Sequence, residues 1–479
     1  MDDTISSGQS RVARATALLT RPVVHVGVLI VLALVLGLAG VAKEPLDGDP
    51  AMYATIARTI LDTGEWTHLT FNGIPYLNKP PLHFWLNAIV FRLVGRDTFT
   101  AGLLPGLLGV ACVLLVYGLV RRTLGGWEAG FMAALVYVTS PEVAHWSRGV
   151  HLETLVTAWV LLGLLAAHRS VDEPASVLLL GVAAAGGWFA KGPQGLFPVV
   201  VALVLWMQAG VLRRRVLSPW SALAVLVVVA TVGPWLLARL DEGSGFGRAY
   251  FGGQIGQVLF EGGLLKRGPL WYLGKLGRTY WPWLPVATAG VVMLVRRWRG
   301  SLGARLWLVY GALVLVVISA AVGKKSRYLF QLYPALAAAA GLALAQLGRR
   351  LPALPLVLLG PAVVATVLVA TIGGDTSSRA QREHTAAALA VAAILPTDRP
   401  VWLTHAVEYG EPQLGKIVGF YGPPRLQTCR ADCVEDAPPD ATVIARDHEA
   451  DRVATALGDE VVARQGILTV LARPRRDFR

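Results

Sequence analysis

Along the first 374 residues the polar positions gather into short clusters, and between them run apolar stretches long enough to cross a bilayer. A membrane helix needs about 20 mainly apolar residues. Such runs lie at 23–42, 99–120, 128–145, 152–168, 176–190, 194–211, 216–238, 281–296, 304–322, 328–347 and 353–373. They predict an all-α polytopic membrane bundle of about eleven transmembrane helices. Two connections, 43–97 and 239–279, are much longer than the rest. In the first, Met52, Ile56 and Ile60 recur at helical spacing, and a second segment opens at Pro80 and Pro81 and continues through Phe84, Trp85, Ile89 and Leu93. Both predict amphipathic helices lying in the membrane interface. The other connection ends in Trp271, Tyr272, Tyr280, Trp281 and Trp283, residue types enriched at the headgroup level.

From about residue 375 the pattern becomes that of a soluble chain. An Ala-rich helical stretch (381–394) precedes strand-like runs at 401–403, 442–445, 460–464 and 468–471, with a further helix at 449–457. The expected organisation is a transmembrane domain over 1–374 and a small α/β domain over 375–479. No catalytic motif is visible in the latter.

Charge gives the bundle a direction. Arg11, Arg14 and Arg21 precede the first run, and Arg121 and Arg122, Arg169, Arg213 to Arg215, Arg296 with Arg297 and Arg299, and Arg349 with Arg350 fall at every second connection. Cytoplasmic loops carry such excess, so the N-terminus is expected inside, and an odd number of spans places the C-terminal domain outside. The net charge of +13 is therefore spread over loops and does not indicate nucleic acid. Only 16% of residues are charged, against about 25% in soluble domains, and the mean hydropathy is +0.54. The first run is longer than the apolar core of a signal peptide, about 7–15 residues, which favours a retained helix. Cys112 lies in an apolar run as a small core residue, while Cys429 and Cys433 are close enough for a small disulfide on the oxidising side.

Several basic residues break the inside rule. Lys79, Arg148, Lys191, Lys324, Lys325 and Arg327 all fall on the outer side, and together they point to a bound anion such as a phosphate. Each also has a local reading: Lys191, for example, could end a helix and snorkel to the surface. The first long loop opens with an acidic motif, Asp47-Gly48-Asp49-Pro50. Asp49 reads either as an N-cap with proline at the first helical position or as a general base at the interface. A third group is His145, Arg148, His151 and Glu153. Glu153 opens a membrane helix, where the dipole favours an acid. The two histidines are six residues apart, not the helical H-x-x-x-H spacing of a metal pair.

The ordered motifs Asp49-Pro50-Ala51-Met52-Tyr53-Ala54, Gly64-Glu65-Trp66, Lys79-Pro80-Pro81 with Phe84-Trp85, Lys191-Gly192-Pro193, Trp271-Tyr272-Leu273, Trp281-Pro282-Trp283, and Lys325-Ser326-Arg327-Tyr328-Leu329 with Tyr333-Pro334-Ala335 resemble the bacterial aminoarabinose-type and mannosyl-type lipid-carrier glycosyltransferases. The resemblance covers about residues 40–345. It implies the C-type membrane glycosyltransferase fold in the bacterial inner membrane, and inverting transfer of a pentose or hexose from a polyprenyl-phosphate carrier to a lipid, glycan or protein acceptor at the outer face. It implies Asp49, with Asp47 and Glu153, as catalytic carboxylates. Lys79, Lys191, Lys325, Arg327, Arg148 and Tyr328 would bind the donor phosphate, and Tyr53, Asn78, His83, Trp85, Trp271 and Tyr272 would line the substrate groove. A monomer is expected, and no cofactor is required by this chemistry. The chain departs from the aminoarabinose pattern at Asn78, where those enzymes carry Glu, and at 264–269, where they carry His; both departures argue against a divalent metal and against aminoarabinose as the sugar. The competing expectation is a transporter or flippase for a lipid-linked sugar. It would favour charge within the spans and an inverted repeat, neither of which is seen.

Overall fold

The structure is a computed structural model that describes residues 22–39, 45–241, 270–321, 323–351, 353–372, 379–410, 413–424, 426–428 and 440–472, with a few single positions between these stretches. The expected pair Cys429 and Cys433 lies outside the described residues, as does the stretch 264–267. By their contacts the described residues fall into two compact units. The first takes in Leu77–His83 with described parts of Met1–Gly40 and Pro105–Gly373, and the second Val41–Tyr76, Phe84–Leu104 and Gly374–Arg479.

The first unit is helical, and a helix occurs in each of the apolar runs. Among the described residues four helical stretches are long and apolar enough to cross a membrane: Thr98–Thr139, Pro219–Leu240, Leu302–Ala320 and Ser326–Gly348. Shorter apolar helices include Pro22–Leu38, Ser176–Lys191 and Trp283–Arg296. Two expected runs are interrupted. The run at 128–145 splits into Gly126–Thr139 and Pro141–Trp146, because Pro141 has no N–H to continue the ladder and instead starts a new helix. The run at 194–211 opens as a tight turn, Pro193–Leu196, before Phe197–Gln208.

Apolar burial against lipid does not hold such helices to one another, so close packing and hydrogen bonds must do so. A Cβ on Gly290 would meet the Ala339 carbonyl oxygen at 1.9 Å, and one on Gly341 the Ala133 backbone at 2.6 Å. Small residues therefore let helix 333–348 approach two neighbours at backbone distance. Three hydrogen bonds between side chains join elements of the bundle: Gln331 Nε2 donates to Thr157 Oγ1 at 2.8 Å, Trp307 Nε1 to Thr123 Oγ1 at 2.9 Å and Trp206 Nε1 to Ser170 Oγ at 2.9 Å. Helix 219–241 turns Val225, Leu226, Val229 and Leu237 outward, the pattern of a lipid-facing helix.

The second unit joins the C-terminal region to parts of the first long loop. Both expected loop helices are present, at Gly48–Thr63 and Leu82–Val94, the latter entering this unit from Phe84. Between them lies a hairpin of β1 (Thr70–Phe71) and β2 (Ile74–Pro75), antiparallel. Its turn is Asn72-Gly73 with φ of 48° and 77°, the left-handed pair that a two-residue hairpin turn requires and that Asn-Gly adopts most readily. The sheet of the C-terminal region has the order β4-β3-β5-β7-β6, from β3 (Val401–Leu403), β4 (Leu426–Thr428), β5 (Thr442–Arg446), β6 (Glu460–Gln465) and β7 (Leu468–Ala472). β3 pairs in parallel with β4 and β5, and β5-β7-β6 is antiparallel. Alternation along the strands feeds two cores: Leu403, Ile444 and Val470 face one with Ala388, Val391 and Val418, and Val443, Ala445 and Leu471 face the other with Val453. Five elements of this unit have no matching expectation: β1, β2, β4 and the helices His405–Tyr409 and Gly415–Tyr421. All are seven residues or shorter, too brief for periodicity to register.

Candidate functional site

Within the first unit, helix ends collect charge. Glu153 is the first residue of helix 153–169 and Lys191 the last of helix 176–191. Adjacent antiparallel helices bring an N-terminus and a C-terminus to the same end, and Lys191 Nζ donates to Glu153 Oε1 at 2.7 Å. Their side chains are 9% and 4% exposed. Lys191 therefore does not snorkel. It turns inward, because a buried carboxylate opposite it compensates the desolvation that a lone ammonium would suffer.

Lys325 and Arg327 join this group from the turn between helices 302–320 and 333–348. Tyr272, fully buried, fixes that turn: its hydroxyl accepts from the Lys325 N–H and donates to the Lys325 carbonyl, each at 3.2 Å. Lys79 completes the group. Burial, and then repulsion from Lys191, Arg327 and Lys325, brings its ammonium down to about 7, with Glu153 acting the other way. Tyr328 presents its ring to Lys191 at 5.9 Å. His151 lies close enough to Glu153 to stabilise its negative charge, and buried His83 also feels that carboxylate. Lys79, Lys191 and Arg327 interact electrostatically with Glu153, and Lys325 interacts with Lys79; such a concentration of cations beside one carboxylate is suited to receiving an anion.

Two of the expected outer cations have other duties. Lys324 Nζ donates to the carbonyls of Ser319 and Ala321, capping the end of helix 302–320. Arg148 Nε donates to the Leu36 carbonyl at 2.6 Å, tying it to the first helix. Of the aromatic residues expected at the headgroup level, Tyr272 and Tyr280 are fully buried in protein, whereas Trp281 is 66% exposed. Trp271 is half-buried and edge-on to Tyr272. Asn78 is exposed.

The acidic motif belongs to the second unit. Here the cap reading of Asp49 is corrected. The N-cap of helix 48–63 is Asp47, without a side-chain cap bond, and Asp49 stands within the first turn, where a carboxylate suits the positive end of the dipole. The cap reading assumed proline at the first helical position, but the helix begins two residues earlier, at Gly48. Asp49 Oδ1 receives Lys416 Nζ at 3.2 Å, and Asp47 Oδ2 accepts from Gln381 Nε2 at 2.6 Å. Tyr53 on the same helix is buried edge-on against Phe84, and Trp85 Nε1 donates to the Trp66 carbonyl at 2.7 Å. Lys416, Gln381 and the buried pair Asn72–Glu408 carry no local signal in the sequence, since each partner lies more than 300 residues away. Among the described residues no group of three or more His, Cys, Asp or Glu could hold a metal ion.

Comparison with known proteins supports the membrane architecture. Residues 78–237 match the family model of dolichyl-phosphate-mannose-protein mannosyltransferase. The chain is 29% identical over 299 residues, 60% of its length and 53% of the relative's, to the undecaprenyl phosphate-alpha-4-amino-4-deoxy-L-arabinose arabinosyl transferase of Edwardsiella ictaluri. It is 30% identical over 293 residues, 59% and 52% of the two chains, to transferase 1 of the same name in Pseudomonas fluorescens. It thus spans about half the length of the curated relatives it matches. Among solved structures, ArnT from Cupriavidus metallidurans bound to undecaprenyl phosphate superposes with a TM-score of 0.75 at 17% identity, covering 95% of this chain and 99% of that one. The apo form of the same protein gives 0.73. In sequence and in fold the chain is similar to the aminoarabinose- and mannosyl-type transferases of the C-type membrane glycosyltransferase fold.

Proposed function

We propose that this protein is an inverting glycosyltransferase that moves a sugar from a polyprenyl-phosphate carrier to an acceptor at the outer face of the bacterial inner membrane. The supporting observation is the Lys191–Glu153 pair within the helical unit, together with the cations that interact with it or with one another, Lys79, Arg327 and Lys325. These groups would hold the donor phosphate and stabilise the charge it gains as it leaves. Asp49 would act as general base. In one displacement the acceptor oxygen bonds to the anomeric carbon, the bond from that carbon to the phosphate oxygen breaks, the phosphate keeps the electron pair, and the acceptor proton passes to Asp49. Configuration inverts, through an oxocarbenium-like transition state. Tyr328 would support the phosphate site. About eleven spans follow from the apolar runs, and a cytoplasmic N-terminus and an external C-terminal domain from the arginine pattern. The transporter reading is less favoured, because the similar proteins are transferases by name.

The test is incubation of the purified protein with a panel of labelled polyprenyl-phosphate sugars, the aminoarabinose donor among them, and an envelope fraction as acceptor. Wild type should give product with at least one donor, and Asp49→Asn should lower turnover about 10²–10⁴-fold, the usual worth of a general base, while remaining folded. With Asn78 in the place of the family's Glu, we propose that no metal is needed, so a chelator should leave the rate unchanged. Near-normal transfer by Asp49→Asn would remove it as the base.

A further inference from the structure

Both carboxylates of the acidic motif are held by side chains of the C-terminal region, within a single compact unit. Lys416 stands near the start of helix 415–421 and is only 13% exposed, unusually low for a lysine, while Asp49, which it contacts at 3.2 Å, is 35% exposed. One carboxylate oxygen thus meets an enclosed cation and the group still reaches solvent. The helix carrying Lys416 is locked to the helix carrying Asp49 at several other points. Arg58 donates to the carbonyls of Phe420 and Gly422, and the Leu46 N–H donates to the Tyr421 hydroxyl at 2.8 Å. Gln381 holds Asp47 from a second C-terminal helix. Lys416 also faces the buried carboxyl of Glu408.

We infer that Lys416 is a positioning residue for Asp49, so that the C-terminal domain forms part of the acidic site. It holds one oxygen of the carboxylate in place. This rests on the proposed transferase reading, with Asp49 as base. Loss of the ammonium would remove that hold on the carboxylate, which slows the chemical step without touching donor binding.

The experiment measures turnover and donor KM for full-length wild type, Lys416→Gln and Lys416→Arg, with the labelled donor that wild type accepts, alongside thermal unfolding in detergent. Lys416→Gln should lower kcat about 10- to 100-fold, the range of a charge-assisted hydrogen bond, with KM within about twofold. Lys416→Arg should recover most of the rate. Unchanged kcat in Lys416→Gln overturns the inference, and so does a loss that Lys416→Arg does not repair or that merely tracks a lowered melting temperature. A rise in kcat also overturns it, and would make the ion pair a brake. Failure of wild type to transfer from every donor is a different result: it removes the transferase reading and this inference with it.

Discussion

The cation cluster and the acidic motif carry complementary charges but are built in different ways. The cluster joins the ends of two successive helices to a loop and a later turn, and its central contact links Lys191 to Glu153 across 38 positions in the chain. The motif depends on partners more than 300 residues away, Gln381 and Lys416. A helix end gains its place from the apolar run behind it, so the cluster is rigid as long as the bundle is. The motif sits on an amphipathic helix whose position depends on a separate folded region. The first arrangement holds its central pair, Lys191 and Glu153, where water reaches poorly; the second leaves a carboxylate about one-third exposed.

That difference yields an order of effects. The largest should come from breaking the buried pair in the cluster. Glu153→Gln leaves Lys191 without its carboxylate in an enclosed setting, which should cost about 3–5 kcal/mol, read as a lower melting temperature in detergent. Removing both charges with Glu153→Gln and Lys191→Met together should restore much of that loss. If the single variant melts like wild type, the pair is not holding the helix ends together.

A smaller effect belongs to Lys79. Its ammonium titrates near 7 because burial and its cationic neighbours Lys191, Arg327 and Lys325 disfavour the charge. Below that value it is protonated and binds phosphate; above it the free protein holds it neutral, and binding must recruit a proton. Donor affinity should therefore fall as pH rises through about 7. Lys79→Met should weaken binding by about 10- to 100-fold at pH 6 and flatten that pH dependence. Binding of the donor followed over pH 5.5–8.5, a range about the titration point, decides it; an unchanged slope in the variant would assign the proton elsewhere.

The smallest expected effect is on the second unit. Asn72 Nδ2 donates to Glu408 Oε2 at 3.0 Å and to the Gly415 carbonyl at 3.1 Å, and the Asn72 carbonyl accepts from the Thr428 N–H at 3.0 Å. Burial raises the Glu408 carboxyl above its usual range, with the bond from Asn72 acting against that rise. Asn72→Ala should cost about 1–3 kcal/mol, seen as earlier proteolysis of the C-terminal region, with the melting of the helical bundle little changed. If the bundle melts early as well, the two regions are not independent in stability.

Much of this was legible along the chain, and the reason differs from place to place. The apolar runs forecast the helices because a membrane helix must satisfy its own backbone and hide it behind apolar side chains, a demand written locally. Glu153 and Lys191 were visible as charges at run ends. The Asn72-Gly73 hairpin is equally local, since its turn needs two left-handed residues. That a set of cations breaks the arginine pattern was also readable, although which of them converge was not: Lys324 and Arg148 find carbonyls that only packing brings within reach.

The chain by itself determined where helices form, which ends carry charge, and which acids stand together in the first loop, because each follows from neighbours within a few turns. Tertiary structure decided that Asp47 rather than Asp49 takes the cap position, that Lys191 points inward to Glu153, and that the C-terminal region supplies Lys416 to Asp49. These outcomes depend on the desolvation of charged groups, and a charge's cost is set by whatever the fold places beside it.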